Sequence, residues 1–185
     1  AAGRGGGRGG AGGGGVGRGG TGVRQGVGVS QGGARRVEDF ALLKEIGRVA
    51  VPVVLKRGMS ATISEWLMAA EYLLSAGNQR VVLCERGVRT FNDHSRNTLD
   101  LNVVPLVRKL SHLPILVDPS HGVGKRDRVR ALARAALAAG AQGRLIECHT
   151  HPEQSYSDAE QTIDPKTLAG VREDLGVIGR LAPLW

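Results

Sequence analysis

The first 36 residues of this 185-residue chain contain no aspartate or glutamate, yet they hold six arginines and eighteen of the 29 glycines. Large apolar side chains are nearly absent there too, so this head cannot bury a core that offsets the entropy of ordering so much glycine. A disordered head over residues 1–30 is expected, either a linker or GC-rich DNA translated in the wrong frame. Aromatic residues make up only 3% of the chain. None interleaves with Arg8-Gly9-Gly10 or Arg18-Gly19-Gly20, so these tracts lack the stacking platforms of single-strand binders, which argues against a nucleic-acid partner. The two cysteines, Cys84 and Cys148, are too few for a disulfide framework. Both sit in strand-like runs and read as small buried hydrophobes in a reducing cytoplasm. No run approaches the roughly 18 apolar residues of a membrane span, and the head has no apolar h-region of a signal peptide. A soluble protein without a membrane partner is expected.

Charge divides the chain in the same place. The formal net charge is +8, of which the head supplies +6. From Val37 onward, 19 basic side chains face 17 acidic ones, so the body is nearly neutral.

The body alternates short apolar runs with helical patterns. Val51–Leu55 leads into Lys56-Arg57-Gly58-Met59, and Val81–Cys84 into Glu85-Arg86-Gly87. Leu113–Val117 leads into Asp118-Pro119-Ser120-His121-Gly122, and Leu145-Ile146 into Glu147-Cys148-His149. Such runs read as buried parallel strands with polar tips. The steps from Lys56 to Arg86, His121 and Glu147 are 30, 35 and 26 residues, close to the roughly 30 residues of a βαβ unit. Between the runs, Thr62-x-x-Glu65 has the form of a capping box, followed by Trp66, Leu67, Ala70, Leu73 and Leu74 at helical spacing. Val104, Leu106, Val107 and Leu110 mark a second helix. Gly122–Arg126 reads as a loop that opens a third and could cradle a phosphate. Asp164 and Pro165 open the last. Polar side chains at the ends of successive parallel strands are where (β/α)-barrel enzymes place their active sites.

Four segments then point to a family: Leu55–Thr62, Leu83–Phe91, Arg96–Leu101 and Val117–Gly122. With Ile146–His149 and Tyr156-Ser157-Asp158, they resemble the second half of 3-deoxy-D-arabino-heptulosonate-7-phosphate (DAHP) synthase in its short bacterial and archaeal form. The related octulosonate-phosphate synthases share the chemistry but not the Lys-Arg-Gly-Met and Cys-Glu-Arg-Gly wording. The resemblance covers residues 31–185 and implies the C-terminal part of a (β/α)8 TIM barrel, about strands four or five to eight. It implies condensation of phosphoenolpyruvate with erythrose 4-phosphate, releasing phosphate, at the entry to the shikimate route to chorismate and aromatic amino acids. By motif match, Arg35, Lys56 and Arg86 bind phosphoenolpyruvate, and His121, Glu147 and Asp158 ligate a divalent metal. Lys56 and His121 are the catalytic positions among them. One imidazole and two carboxylates suit Mn²⁺, Fe²⁺ or Zn²⁺.

The departures from that pattern are specific. The Gly-Pro-Cys turn with a fourth metal ligand and the Lys-Pro-Arg-Thr segment for the sugar phosphate do not occur in these 185 residues. Where an apolar fourth strand belongs, the chain reads Gly26-Val27-Gly28-Val29-Ser30-Gln31-Gly32. Ala159-Glu160 replaces a Gly-Pro turn, which bears on the loop that carries Asp158. The glycine-rich head is therefore expected to replace the family's first half, with impaired turnover. A partial barrel also leaves unpaired sheet edges and an uncovered apolar face, so self-association is expected.

Overall fold

The computed structural model describes residues 30–32 and 40–181. Arg35 and the glycine-rich head up to residue 29 lie outside the described residues. Five parallel strands form one sheet in sequential order: β1 (Ser30–Gly32), β2 (Val53–Lys56), β3 (Val81–Glu85), β4 (Ile115–Val117) and β5 (Gly143–Arg144). Helices α1 (Phe40–Gly47), α2 (Ile63–Ser75), α3 (Val103–Leu110), α4 (Pro119–Val123), α5 (Arg126–Ala138) and α6 (Pro165–Leu181) complete the fold. Sequential parallel strands need crossovers, and helices supply them.

Local chemistry explains the element boundaries. Thr62 Oγ1 accepts from the Glu65 amide while the Glu65 carboxylate accepts from the Thr62 amide, so α2 starts with both orphan donors satisfied. It stops at Ala76, followed by Gly77 at φ +109°. Asp164 Oδ1 accepts from the Thr167 amide at 2.6 Å and caps α6.

The sheet's helix-facing side carries the main core. Val53, Leu55, Val81, Leu83, Ile115 and Val117 pack there against Trp66, Ala70 and Leu73 of α2 and Val103, Val104 and Val107 of α3. Trp66 is fully buried, and its indole donates to the Leu55 carbonyl at 3.1 Å. A smaller cluster of Val129, Ala133, Ile163 and Val171 joins α5 to α6.

Three features depart from the sequence reading. The last paired strand is Gly143–Arg144, immediately before Leu145-Ile146, and a Cβ at Gly143 would sit 2.6 Å from Leu116, so only glycine fits there. Leu145 keeps one ladder bond, to the Val117 carbonyl, so Glu147 still follows a strand tip. Gly122–Arg126 is not simply a loop: Pro119–Val123 forms the single turn of α4, closed by left-handed Gly124. Cys84 is buried as expected, but Cys148 is exposed, because it lies beyond the sheet on an isolated bridge to Ile163.

Among the described residues, β1 and β5 each have one unpaired edge. Replacing Trp66 with alanine should cost about 3–5 kcal/mol, the range for emptying a large aromatic site in a core. A denaturant midpoint shifted by less than a third of that would show that α2 is not anchored through this ring.

Candidate active site at the strand tips

Period-two alternation sorts the side chains at the C-terminal edge of the sheet. Lys56 is paired in register with Cys84, and Cys84 with Leu116, so these three share the face away from the core. Two residues past Leu116, Asp118 falls on that same face. Its Oδ2 accepts from Lys56 Nζ at 2.9 Å, and both groups are buried. One register step beyond Lys56 lies Arg57, opposite Glu85 on the core-facing side. Arg57 Nη1 donates to Glu85 Oε2 at 3.2 Å and to Asp100 Oδ2 at 3.0 Å. Neighbouring residues therefore anchor two ion pairs on opposite faces of the sheet.

Asp118 organises the outer pair further. Its Oδ1 accepts the His121 amide at 2.9 Å and so caps α4, while Oδ2 also meets His121 Nδ1 at 2.7 Å. Burial opposes ionisation of Asp118, but the His121 hydrogen bond and the Lys56 charge outweigh it and hold the carboxyl below its ordinary range. Nδ1 of His121 is thereby the donor, and Nε2 turns outward to within 3.3 Å of Glu147 Oε1. Glu147 is raised above the ordinary carboxylate range, chiefly by burial, and a hydrogen bond from Gln161 partly offsets this. Ser120 Oγ accepts the Glu147 amide at 3.1 Å, which ties the chain after β5 to α4.

His121, Glu147 and Asp158 each offer one ligand atom, and these atoms lie within 4.8 Å of one another. All three residues are half-buried, open enough for an ion to enter. A donor set of one imidazole, with its second nitrogen already held by a carboxylate, and two carboxylates fits a divalent metal. Asp158 has φ +55° and pairs with Arg96 at 2.8 Å. An open cleft of about 460 Å³ runs alongside, with Arg96, Lys125, Asp158 and Gln161 on its walls.

Arg86 follows β3 with the parity of Cys84, on the side of Lys56 and Asp118. It is 8% exposed, and its Nη1 is buried without a hydrogen-bond partner among the described residues. Burial lowers its pKa, Asp118 opposes that shift, and Arg96 adds to it. A buried guanidinium nitrogen without an acceptor is costly in a folded protein, and an anion seated at the strand tips would satisfy it.

The structure thus brings Lys56, Arg86, His121, Glu147 and Asp158 to one edge of the sheet, whereas Arg35 is outside the described residues. Sequence reasoning missed Arg57, Glu85 and Gln161. Alternation supplied a signal for the first two, since residues on either side of a register step must face opposite ways. Gln161 had none, because an isolated Gln near a turn reads as a surface residue. His149 and His151 are exposed, and the His151 amide donates to His149 Nδ1 at 3.0 Å.

These features define an α/β protein with parallel strands whose tips gather cations beside a set of metal-type donors. The DAHP synthetase I family model matches residues 23–177, and the chain belongs to that family. Phospho-2-dehydro-3-deoxyheptonate aldolase of Thermotoga maritima is 52% identical over 136 residues, which are 74% of this chain and 40% of that protein. 2-Dehydro-3-deoxyphosphooctonate aldolase of Geobacter sulfurreducens is 30% identical over 148 residues, covering 74% of this chain and 53% of its own length. A solved truncated form of 3-deoxy-D-arabino-heptulosonate 7-phosphate synthase from T. maritima superposes with a TM-score of 0.82 at 46% identity, over 83% of this chain and 59% of that one. The chain therefore spans roughly half the length of these relatives.

Glu85 offers a test of the local electrostatics. It is fully buried, and burial raises its pKa despite hydrogen bonds from the Gly87 amide and Arg57. The folded state therefore keeps the Glu85 proton at a pH where the unfolded chain has lost it, so this residue weakens the fold as pH rises above its ordinary value. Between about pH 4 and about pH 7, the stability difference between parent and Glu85→Gln should move in favour of the variant. Denaturant midpoints at the two pH values measure it, and a shift towards the parent would mean that the Arg57 pair outweighs burial.

Proposed function

We propose that this chain carries the phosphoenolpyruvate and metal sites of a DAHP synthase. Its reaction is the condensation of phosphoenolpyruvate with erythrose 4-phosphate, which releases phosphate. The supporting observations are the grouping of His121, Glu147 and Asp158 within 4.8 Å and the buried Nη1 of Arg86, which has no hydrogen-bond partner among the described residues.

Lys56 and Arg86 receive the anionic acid. Phosphoenolpyruvate is strongly anionic near neutral pH, and fixed cations in a partly dry site bind it better than mobile ones in water. Lys56 is pre-positioned by Asp118, so little side-chain entropy remains to be lost on binding. Arg35 would be a third cation in this reading. His121, Glu147 and Asp158 would hold the divalent ion (Mn²⁺, Fe²⁺ or Zn²⁺), which when bound supplies Lewis-acid polarisation of the sugar aldehyde. Asp118 keeps the His121 proton on Nδ1 and leaves Nε2 free as a ligand. Impaired turnover of these 185 residues taken alone belongs to the same reading, because they include no Lys-Pro-Arg-Thr segment for the sugar phosphate. So do a TIM-barrel origin for the open sheet, a cytoplasmic location and self-association through the unpaired edges of β1 and β5.

A second reading is favoured by those open edges: a barrel fragment or basic-tailed binding protein that kept the fold without the reaction. Phosphate release separates the two. The enzyme reading expects slow release that requires both erythrose 4-phosphate and Mn²⁺, and release independent of either would sink it. Arg86→Ala should weaken phosphoenolpyruvate binding about 10- to 100-fold, as expected for loss of a charged hydrogen bond. Calorimetric titration without metal measures it, and an unchanged affinity would remove Arg86 from the site. Light scattering at micromolar protein should report a mass above that of one chain, and a clean monomer would exclude pairing through the sheet edges.

A further inference from the structure

We propose that Gln161 is a positioning residue that sets the orientation of Glu147 as a metal ligand. The inference rests on the reading of His121, Glu147 and Asp158 as the ligand set. Gln161 is 1% exposed, and a carboxamide that deeply buried needs partners at both ends. Its Nε2 donates to Glu147 Oε2 at 2.7 Å, while its Oε1 lies 3.4 Å from Arg96 Nη1. The bond to Oε2 leaves Glu147 Oε1 as the atom that faces His121 Nε2.

The backbone around Gln161 reaches the other ligand as well. The amides of Gln161 and Thr162 donate to the Asp158 carbonyl at 3.1 and 3.2 Å, and the Thr162 hydroxyl does so at 2.9 Å. This closes the turn in which Asp158 adopts its left-handed conformation. One residue on, the Ile163 amide donates to the Glu147 carbonyl at 3.0 Å. The turn is in turn fastened to the start of α5, where the Arg126 amide donates to the Glu160 carbonyl at 2.9 Å and Lys125 pairs with Glu160. Residues 158–163 thus fix the backbone of one carboxylate ligand and clasp both the backbone and the side chain of another. The Gln161 carboxamide is the part of this clasp that bears on a ligand atom directly.

Outer partners of this kind typically change metal affinity 10- to 100-fold. The test is a Mn²⁺ titration of the full 185-residue chain without substrates, with free Mn²⁺ read by electron paramagnetic resonance. Gln161→Met keeps the volume and removes the donor, and is expected to weaken binding about 10- to 100-fold while the metal-free melting temperature stays near that of the parent. Gln161→Glu, which keeps the size and replaces the donor with an acceptor, should weaken binding similarly and carries the test if the Met variant does not fold. Parent-like Mn²⁺ affinity in these variants overturns the proposal while the ligand assignment stands. His121→Ala distinguishes the other failure: if the parent does not bind Mn²⁺, or His121→Ala binds as tightly as the parent, the metal site itself is wrong and the proposal falls with it.

Discussion

One carboxylate, that of Asp118, ties the site to the fold. It sits at the tip of β4, is fully buried, and accepts hydrogen bonds from the Lys56 ammonium, the His121 ring and the His121 amide at the same time. A buried charge with fewer partners would be strongly destabilising. Here the partners are two of the proposed site residues, so the interaction that makes the charge tolerable also aims a cation and an imidazole. In the proposed function the cation would serve the anion and the imidazole the metal. A single acceptor oxygen therefore links both halves of the site.

The second constraint is the two-residue period of the strands. It sends Lys56 and Asp118 to one face, and Arg57 and Glu85 to the other. Arg57 bridges Glu85 to Asp100, and Glu85 also accepts the Gly87 amide at 2.7 Å, so the inward pair holds down the loop that follows β3. At Gly87 itself a side chain is excluded, because φ is +92° and a Cβ would lie 2.9 Å from both Asn97 and Gly122. That close approach lets the loop after β3 lie against α4, which carries His121. Packing on one face of the sheet thus keeps the chemistry on the other in register.

The alternating architecture, the capped starts of α2 and α6 and the polar strand tips were legible in the sequence because each has a local cause: apolar runs of strand length, a Thr-x-x-Glu box, an Asp-Pro start. The grouping of His121 with Glu147 and Asp158 was legible only through likeness to a family, since no local rule brings together residues 26 and 37 positions apart in sequence. The position of β5 was misread because hydrophobicity does not show where pairing begins or ends. Cys148 was misread for the same reason: an apolar context in sequence does not place a residue inside the sheet. Arg57 and Gln161 are long polar side chains whose burial depends on acceptors far away in sequence, which composition cannot reveal.

The unequal placement of the two thiols has a practical consequence. Cys84 is completely enclosed on β3, and burial, followed by the nearby Asp118 charge, raises its pKa far above that of a free thiol. Cys148 lies on the surface at the rim. An alkylating reagent therefore meets one sulfur at once and the other only when the middle of the sheet opens. The chain carries its own clock for that opening, read as the delay between the first and second adducts.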